Sequence, residues 1–178
     1  MDKTPVHWSI GRVKDAFEHK RELNIDMVSS NRLSLTLKGV VKRSLTDTMG
    51  LQASQYDTYQ LVEPDDLVFK LIDLKNRATS RVGIVSEPGI MSPAYIRLSS
   101  SRSLCEAKYA YWYFMSLYWN NVFNSLGDGV RQALNLNDLL KLPLPLPSLS
   151  AQHRIVQALD RQSNATDALV NAQTEQIR

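Results

Sequence analysis

Cysteine is nearly absent from this chain of 178 residues: Cys105 stands alone. No internal disulfide framework can form, and such usage fits a reducing compartment, so the cytoplasm is the expected location. Histidine is scarce as well. His7, His19 and His153 lie far from one another and from Cys105 in sequence, so no Cys/His cluster offers metal-ligand spacing and no cofactor is expected. There is no run of about 18 uncharged apolar residues, the length of a membrane span. The opening Met-Asp-Lys-Thr-Pro-Val-His-Trp-Ser-Ile-Gly-Arg lacks the apolar stretch of a signal peptide. Nucleotide and hydrolase signatures are missing too: no G-x-x-x-x-G-K-[ST], no G-x-G-x-x-G and no G-x-S-x-G. The loop Gly127-Asp128-Gly129-Val130-Arg131-Gln132 does not have P-loop spacing.

Charge is close to balanced, with 21 Lys and Arg against 18 Asp and Glu, but it is unevenly spread. Residues 67–131 carry 8 basic side chains (Lys70, Lys75, Arg77, Arg81, Arg97, Arg102, Lys108, Arg131) against 4 acidic ones, and so supply the whole surplus. A second local excess is Arg32, Lys38, Lys42 and Arg43, with no acid between Met27 and Thr46. Cations gathered on one face gain affinity for a phosphate backbone by releasing its counterions.

The patterning divides the chain. Leu33-Ser34-Leu35-Thr36-Leu37 alternates apolar and polar, the period of a half-buried strand, and Lys38-Gly39 turns into a second extended piece. Strands are expected at 56–60, 66–72, 81–85 and 94–98, separated by Gly, Pro and Asp turns such as Glu63-Pro64-Asp65-Asp66. Short strands of this kind imply a mixed or antiparallel sheet. From Ser103 the regime changes. Ser103-Leu104-Cys105-Glu106 fits a capping box, and residues 104–126 contain no Gly or Pro and hold 8 of the 14 aromatics, which predicts one helix. Its rings would pack the helix onto the sheet; base stacking is the competing use, although stacking platforms are usually on sheets or loops. Leu142-Pro143-Leu144-Pro145-Leu146-Pro147 cannot be helical and predicts an extended strut whose leucines dock on the domain. A last helix over 151–178, capped by Ser150, places Ile155, Leu159, Thr166, Leu169, Val170 and Ile177 on a near-heptad stripe that wants a partner helix.

One catalytic pattern is present in loose form. Pro64-Asp65 followed by Asp73-Leu74-Lys75 resembles the PD-(D/E)xK nucleases, in which two carboxylates hold Mg²⁺ and a lysine orients the attacking water. The separation between Asp65 and Asp73 is short for that pattern, and a Pro-Asp turn leading to a polar strand end explains the same residues. Nothing matches the Asn-Pro-Pro-aromatic tetrapeptide of amino-methyltransferases; Ser92-Pro93-Ala94-Tyr95 does not.

An ordered set of segments resembles the DNA-specificity (S) subunit of type I restriction-modification systems. It runs from Tyr59-Gln60-Leu61-Val62 and Pro64-Asp65-Asp66-Leu67-Val68-Phe69 through Arg81-Val82-Gly83-Ile84-Val85 to Gly89-Ile90-Met91-Ser92-Pro93-Ala94-Tyr95. The aromatic helix, Leu126-Gly127-x-Gly129-x-Arg131-x-x-Leu134, the Leu-Pro repeat and Gln152-x-x-Ile155-Val156-x-x-Leu159-Asp160 follow in order. Ala151 stands where the family usually has Glu, which removes a capping contact. The likeness is good over 56–178 and weak before it.

The resemblance implies an α+β fold: a target-recognition domain at 1–147, its sheet packed on the aromatic-rich helix, then the start of a coiled-coil spacer helix at 148–178. It implies a non-catalytic reader of double-stranded DNA whose partners are the methyltransferase (modification) and restriction subunits. A second recognition domain or a homodimer would pair through the last helix. Lys42, Arg43, Lys70, Lys75, Asn76, Arg77, Arg81, Arg131 and Gln132 are the candidate DNA contacts: cations for phosphate, Arg for guanine, and Asn or Gln for adenine. The alternatives are the Mg²⁺ nuclease built on Asp65, Asp73 and Lys75, and a helical assembly module that never touches DNA.

Overall fold

The computed structural model describes residues 5, 8–46, 56–72, 74, 79–100, 104–126 and 133–176. Its centre is a sheet of four strands, β2 (Phe17–His19), β6 (Leu67–Phe69), β7 (Val82–Ile84) and β9 (Ile96–Ser100), in the order β2-β9-β6-β7 and antiparallel throughout. Side chains alternate across a strand. Leu67 and Phe69 therefore enter one core together with Phe17, Val82 and Leu98, while Val68 enters another with Leu33, Leu35, Val62, Val85 and Met91.

The larger core is closed by helix α2 (Ala107–Trp119), which buries Tyr109, Ala110, Phe114 and Leu117. Phe114 meets Phe69 edge to face at 4.9 Å, an arrangement that suits the ring quadrupoles. The single helix predicted for 104–126 is two helices. α2 begins at Ala107, with Glu106 extended at its N-cap; Glu106 is thus not the third helical residue that a Ser103 capping box requires. The backbone N–H of Glu106 instead donates to Gln152 Oε1, 46 residues on, at 2.9 Å. At the far end Asn121 takes φ 59 and breaks the helix before α3 (Val122–Leu126). Asn is among the few residues that enter the left-handed region cheaply, so the Asn120-Asn121 pair supplies a break that the absence of Gly and Pro conceals.

The Leu-Pro repeat is extended, as its prolines dictate. It forms β10 (Pro143–Leu146), paired with β1 (Ser9–Arg12). The N–H and C=O of one residue in a strand point to the same side. Leu144 and Leu146 therefore face β1, while Pro143 and Pro145, which have no N–H, turn their carbonyls away. Those two carbonyls accept from Tyr113 Oη (2.7 Å) and Tyr109 Oη (3.0 Å). Tyr109 and Tyr113 are one helical step of four apart, about 6 Å, close to the roughly 6.6 Å between alternate strand residues. The short helices α1 (Val13–Ala16) and α4 (Leu136–Lys141) flank this ribbon, the latter capped by Asn135.

The last helix, α5 (Leu149–Gln176), starts earlier than predicted, because Ser148 and not Ser150 caps it: Ala151 N–H donates to Ser148 Oγ and to its carbonyl. Its first three turns are latched to the domain. Gln152 is fully buried, and its amide also donates to the carbonyls of Leu104 and Pro147. Asp160 accepts from Trp112 Nε1 (3.0 Å) and pairs with Lys108 Nζ (2.7 Å). No helix among the described residues is long and apolar enough to cross a membrane.

The second face of the sheet carries a hairpin, β3 (Leu33–Thr36) and β4 (Gly39–Lys42), and a further pair, β5 (Gln60–Val62) with β8 (Gly89–Met91). The hairpin can lie close to β7 because Gly83 has no side chain; a Cβ there would meet Leu35 Cδ1 at 2.6 Å and Val40 Cγ2 at 2.8 Å. Gly39, at φ +94, makes the tight turn that a Cβ would strain.

Candidate nucleic-acid interface

The predicted cations divide sharply once folded. Lys38, Lys42 and Arg43 are exposed on the hairpin and at its end. Arg32, from the same run, is instead turned inward: Nη1 donates to the Ser44 carbonyl and the guanidinium lies 6.0 Å from the centre of the Tyr56 ring.

Among the described cations of the basic middle, Lys70, Arg81, Arg97 and Lys108, two are buried. Arg81 is 1% exposed, and its Nη1 lies 3.5 Å from the Ile72 carbonyl. Arg81 is therefore corrected from an exposed DNA contact to a buried residue. Arg97 is buried as well, its Nε donating to Asp66 Oδ2 at 2.6 Å and Nη1 to the Leu61 carbonyl. Ser99 Oγ and the Glu63 N–H complete the donors to Asp66. Lys108 is engaged with Asp160, and Lys70 is half-exposed with Nζ 3.5 Å from Thr79 Oγ1. The sequence cannot separate such arginines from surface ones, because their burial comes from segments that pack together only in the fold. Lys75, Asn76, Arg77, Arg131 and Gln132 lie outside the described residues.

Beside the hairpin is a cavity of about 500 Å³. It is walled by the hairpin residue Leu37, by Ser80 and Arg81 leading into β7, and by the broken end of the aromatic helix with Tyr118, Trp119 and Asn121. A shallower groove of about 450 Å³ along the hairpin is lined by Lys38, Lys42 and Arg43, and Leu37 borders both hollows. Most rings of the helix do pack inward, but Trp119 is 62% exposed. Reading the aromatics as packing residues thus misses Trp119; the signal was its place next to the Asn pair that ends the helix.

The nuclease pattern gains nothing from the fold. Asp65 is exposed at φ 68 in the turn before β6, while Asp73 and Lys75 lie outside the described residues. Asp66, its neighbour, is occupied structurally. Among the described residues no group of three or more His, Cys, Asp or Glu is placed to hold a metal ion. Burial pushes the Cys105 thiol up to about 12, with the Glu106 carboxylate adding to the effect. That disfavours the thiolate, which is the nucleophilic form of cysteine.

Along α5 the predicted pairing stripe splits. Ile155 packs against the domain core and is spent there; Leu159 is half-buried. Thr166, Leu169 and Val170 are exposed, and Ile177 lies outside the described residues.

A family model described as the type I restriction modification DNA specificity domain matches residues 6–178. Comparison with curated proteins found no match. Among solved structures, one from work on complex assembly and conformational transition of the type I R-M system aligns at TM-score 0.65 and 18% identity, over 97% of this chain and 42% of that one. The HsdS subunit from Thermoanaerobacter tengcongensis aligns at 0.61 and 18%, over 96% and 41%. The type I restriction-modification S subunit from M. genitalium aligns at 0.59 and 15%, over 96% and 43%. These likenesses concern the fold, and this chain spans less than half the length of each of those proteins. With the family model matching nearly end to end, the chain belongs to the type I restriction-modification DNA specificity domain family.

Proposed function

We propose that this chain is a sequence-specific reader of duplex DNA acting in a type I restriction-modification complex, where methylation and cleavage fall to separate modification and restriction subunits. The observation that carries the reading is the family match over residues 6–178. The exposed hairpin supports it: Lys38, Lys42 and Arg43 stand on one element, in a stretch with no acid between Met27 and Thr46. They would fix register on phosphates without themselves carrying sequence information. Lys70, Lys75, Asn76, Arg77, Arg131 and Gln132 remain proposed contacts from their chemistry. In this reading residues 1–147 are the recognition domain and 148–178 the beginning of a spacer. The distal turns of that spacer, with Leu169 and Val170 exposed, would pair with a second recognition half or a second copy. Soluble, cytoplasmic action follows from the same assignment.

Selection of bound sites from a random duplex pool, with and without a modification subunit, tests the function. A short non-palindromic half-site is expected. Removing Lys38, Lys42 and Arg43 together should lower the slope of log affinity against log salt by about 2 to 3, near 0.9 per lost phosphate contact. An unchanged slope would take the hairpin out of the interface. Loss of all binding on deleting 151–178 would favour an assembly module instead. Leu159→Lys with Leu169→Lys should abolish self-association in sedimentation, and a monomeric parent protein would refute pairing between copies.

A further inference from the structure

A large aromatic left in solvent at the rim of a cavity is an unusual use of a tryptophan. Trp119 is such a residue, and the cavity it borders adjoins the cationic hairpin through Leu37. The residues that follow add hydrogen-bonding capacity. Asn121 and Asn124 both line the cavity, and their amides bond to each other. Whichever way the two amides are turned, that bond consumes one donor and one acceptor. It leaves one amide nitrogen and one amide oxygen of two exposed, cavity-lining residues with no protein partner among the described residues. A planar face next to a paired donor and acceptor is the chemistry that recognises a nucleobase: the ring stacks and its edge takes both hydrogen bonds. At about 500 Å³ the cavity has the size of small-ligand pockets and cannot admit a duplex.

We infer that this cavity seats a single nucleobase displaced from the DNA stack, with Trp119 as its stacking face and the Asn121–Asn124 amides reading its edge. The inference rests on the DNA-recognition reading and adds to it a second mode of sequence readout, in a pocket rather than a groove. A free nucleoside carries the same ring, so the test separates the two sources. The full chain is titrated with duplexes carrying its selected half-site, in which each base pair in turn is replaced by a mismatch. Weakening a pair that must open lowers the cost of opening it. One position should then bind about tenfold tighter than the matched duplex, while the others bind equally or more weakly. Trp119→Ala should erase that gain, Trp119→Phe should keep most of it, and both should keep the parent salt slope. If no position tightens, or if the gain survives in Trp119→Ala, the inference is wrong even though DNA reading stands. If no duplex binds at all, both readings fall. Saturation by adenosine or thymidine at micromolar concentration, unaffected by competing duplex, would assign the cavity to a free nucleoside and overturn the inference.

Discussion

On one face of the central sheet Leu67, Phe69, Val82 and Leu98 meet the aromatic helix, and polar atoms there join elements: Tyr109 and Tyr113 to the Leu-Pro strand, Gln152 to the start of α2. On the other face the apolar cluster is small, and Val68 shares its side of the sheet with Arg97. Burial there is held by Asp66–Arg97, by Gln60, whose amide reaches the carbonyls of Ser92 and Tyr95, and by Asn24, which ties Ser29 and Tyr56. The first face is a scaffold that keeps a long helix at a fixed angle. The second uses directional bonds to hold thin elements in register, and its outer hairpin presents cations to solvent. A carboxylate with three donors is worth burying only where such register matters, since an ion pair contributes little net stability over well-packed apolar side chains.

The contrast can be broken most sharply at Arg97. Arg97→Ala strands the Asp66 carboxylate and should cost about 3–5 kcal/mol in urea unfolding. Replacing both partners with apolar residues should recover much of that, which would show that the pair specifies register more than it stabilises. On the opposite face Gln152→Ala leaves the Glu106 N–H and two carbonyls unpaired and should cost about 2–4 kcal/mol, freeing α5 from α2 in hydrogen exchange.

Alkaline pH should discriminate next. Burial raises the Cys105 thiol to about 12, and the Tyr109 phenol is raised by the same cause. Below the unfolded thiol value, near 9, both states hold the proton and stability is at its full level. Above it for the thiol, and above about 10 for the phenol, the unfolded chain loses protons that the native state keeps, so stability falls by about 1.4 kcal/mol per pH unit for each such group until its folded value is passed. Thermal melts between pH 8 and 11 should follow this decline, and a flat profile would mean that the thiol and phenol are not closed off from water. Tyr113→Phe removes one hydroxyl from the Leu-Pro strand and should cost about 1 kcal/mol. Changing Lys38, Lys42 and Arg43 to Ala should move stability by no more than about 0.5 kcal/mol, since exposed side chains carry little of it.

Several features were legible in advance because they are local. Alternation at Leu33–Leu37 and the Lys38-Gly39 turn became the hairpin, and prolines at alternate positions forced an extended β10. The strand that β10 pairs with was not legible: Ser9–Arg12 has no alternating pattern, and its order comes from a ladder to residues more than 130 positions away. The fate of the arginines was equally hidden. Arg81 and Arg97 have the composition of a basic patch, yet both are buried, Arg97 within β9 and Arg81 just before β7.

The sequence alone determined the class of the protein: single short strands followed by an aromatic helix, a proline-locked strut and a final helix, with charge concentrated in segments. Chain stiffness and side-chain period act over a few residues, so they can be read along the chain. Only the tertiary structure decided which cations face solvent, which tryptophan stays outside the core and what the buried glutamine joins. Desolvation and hydrogen bonding act between segments that only folding brings within 3 Å of each other.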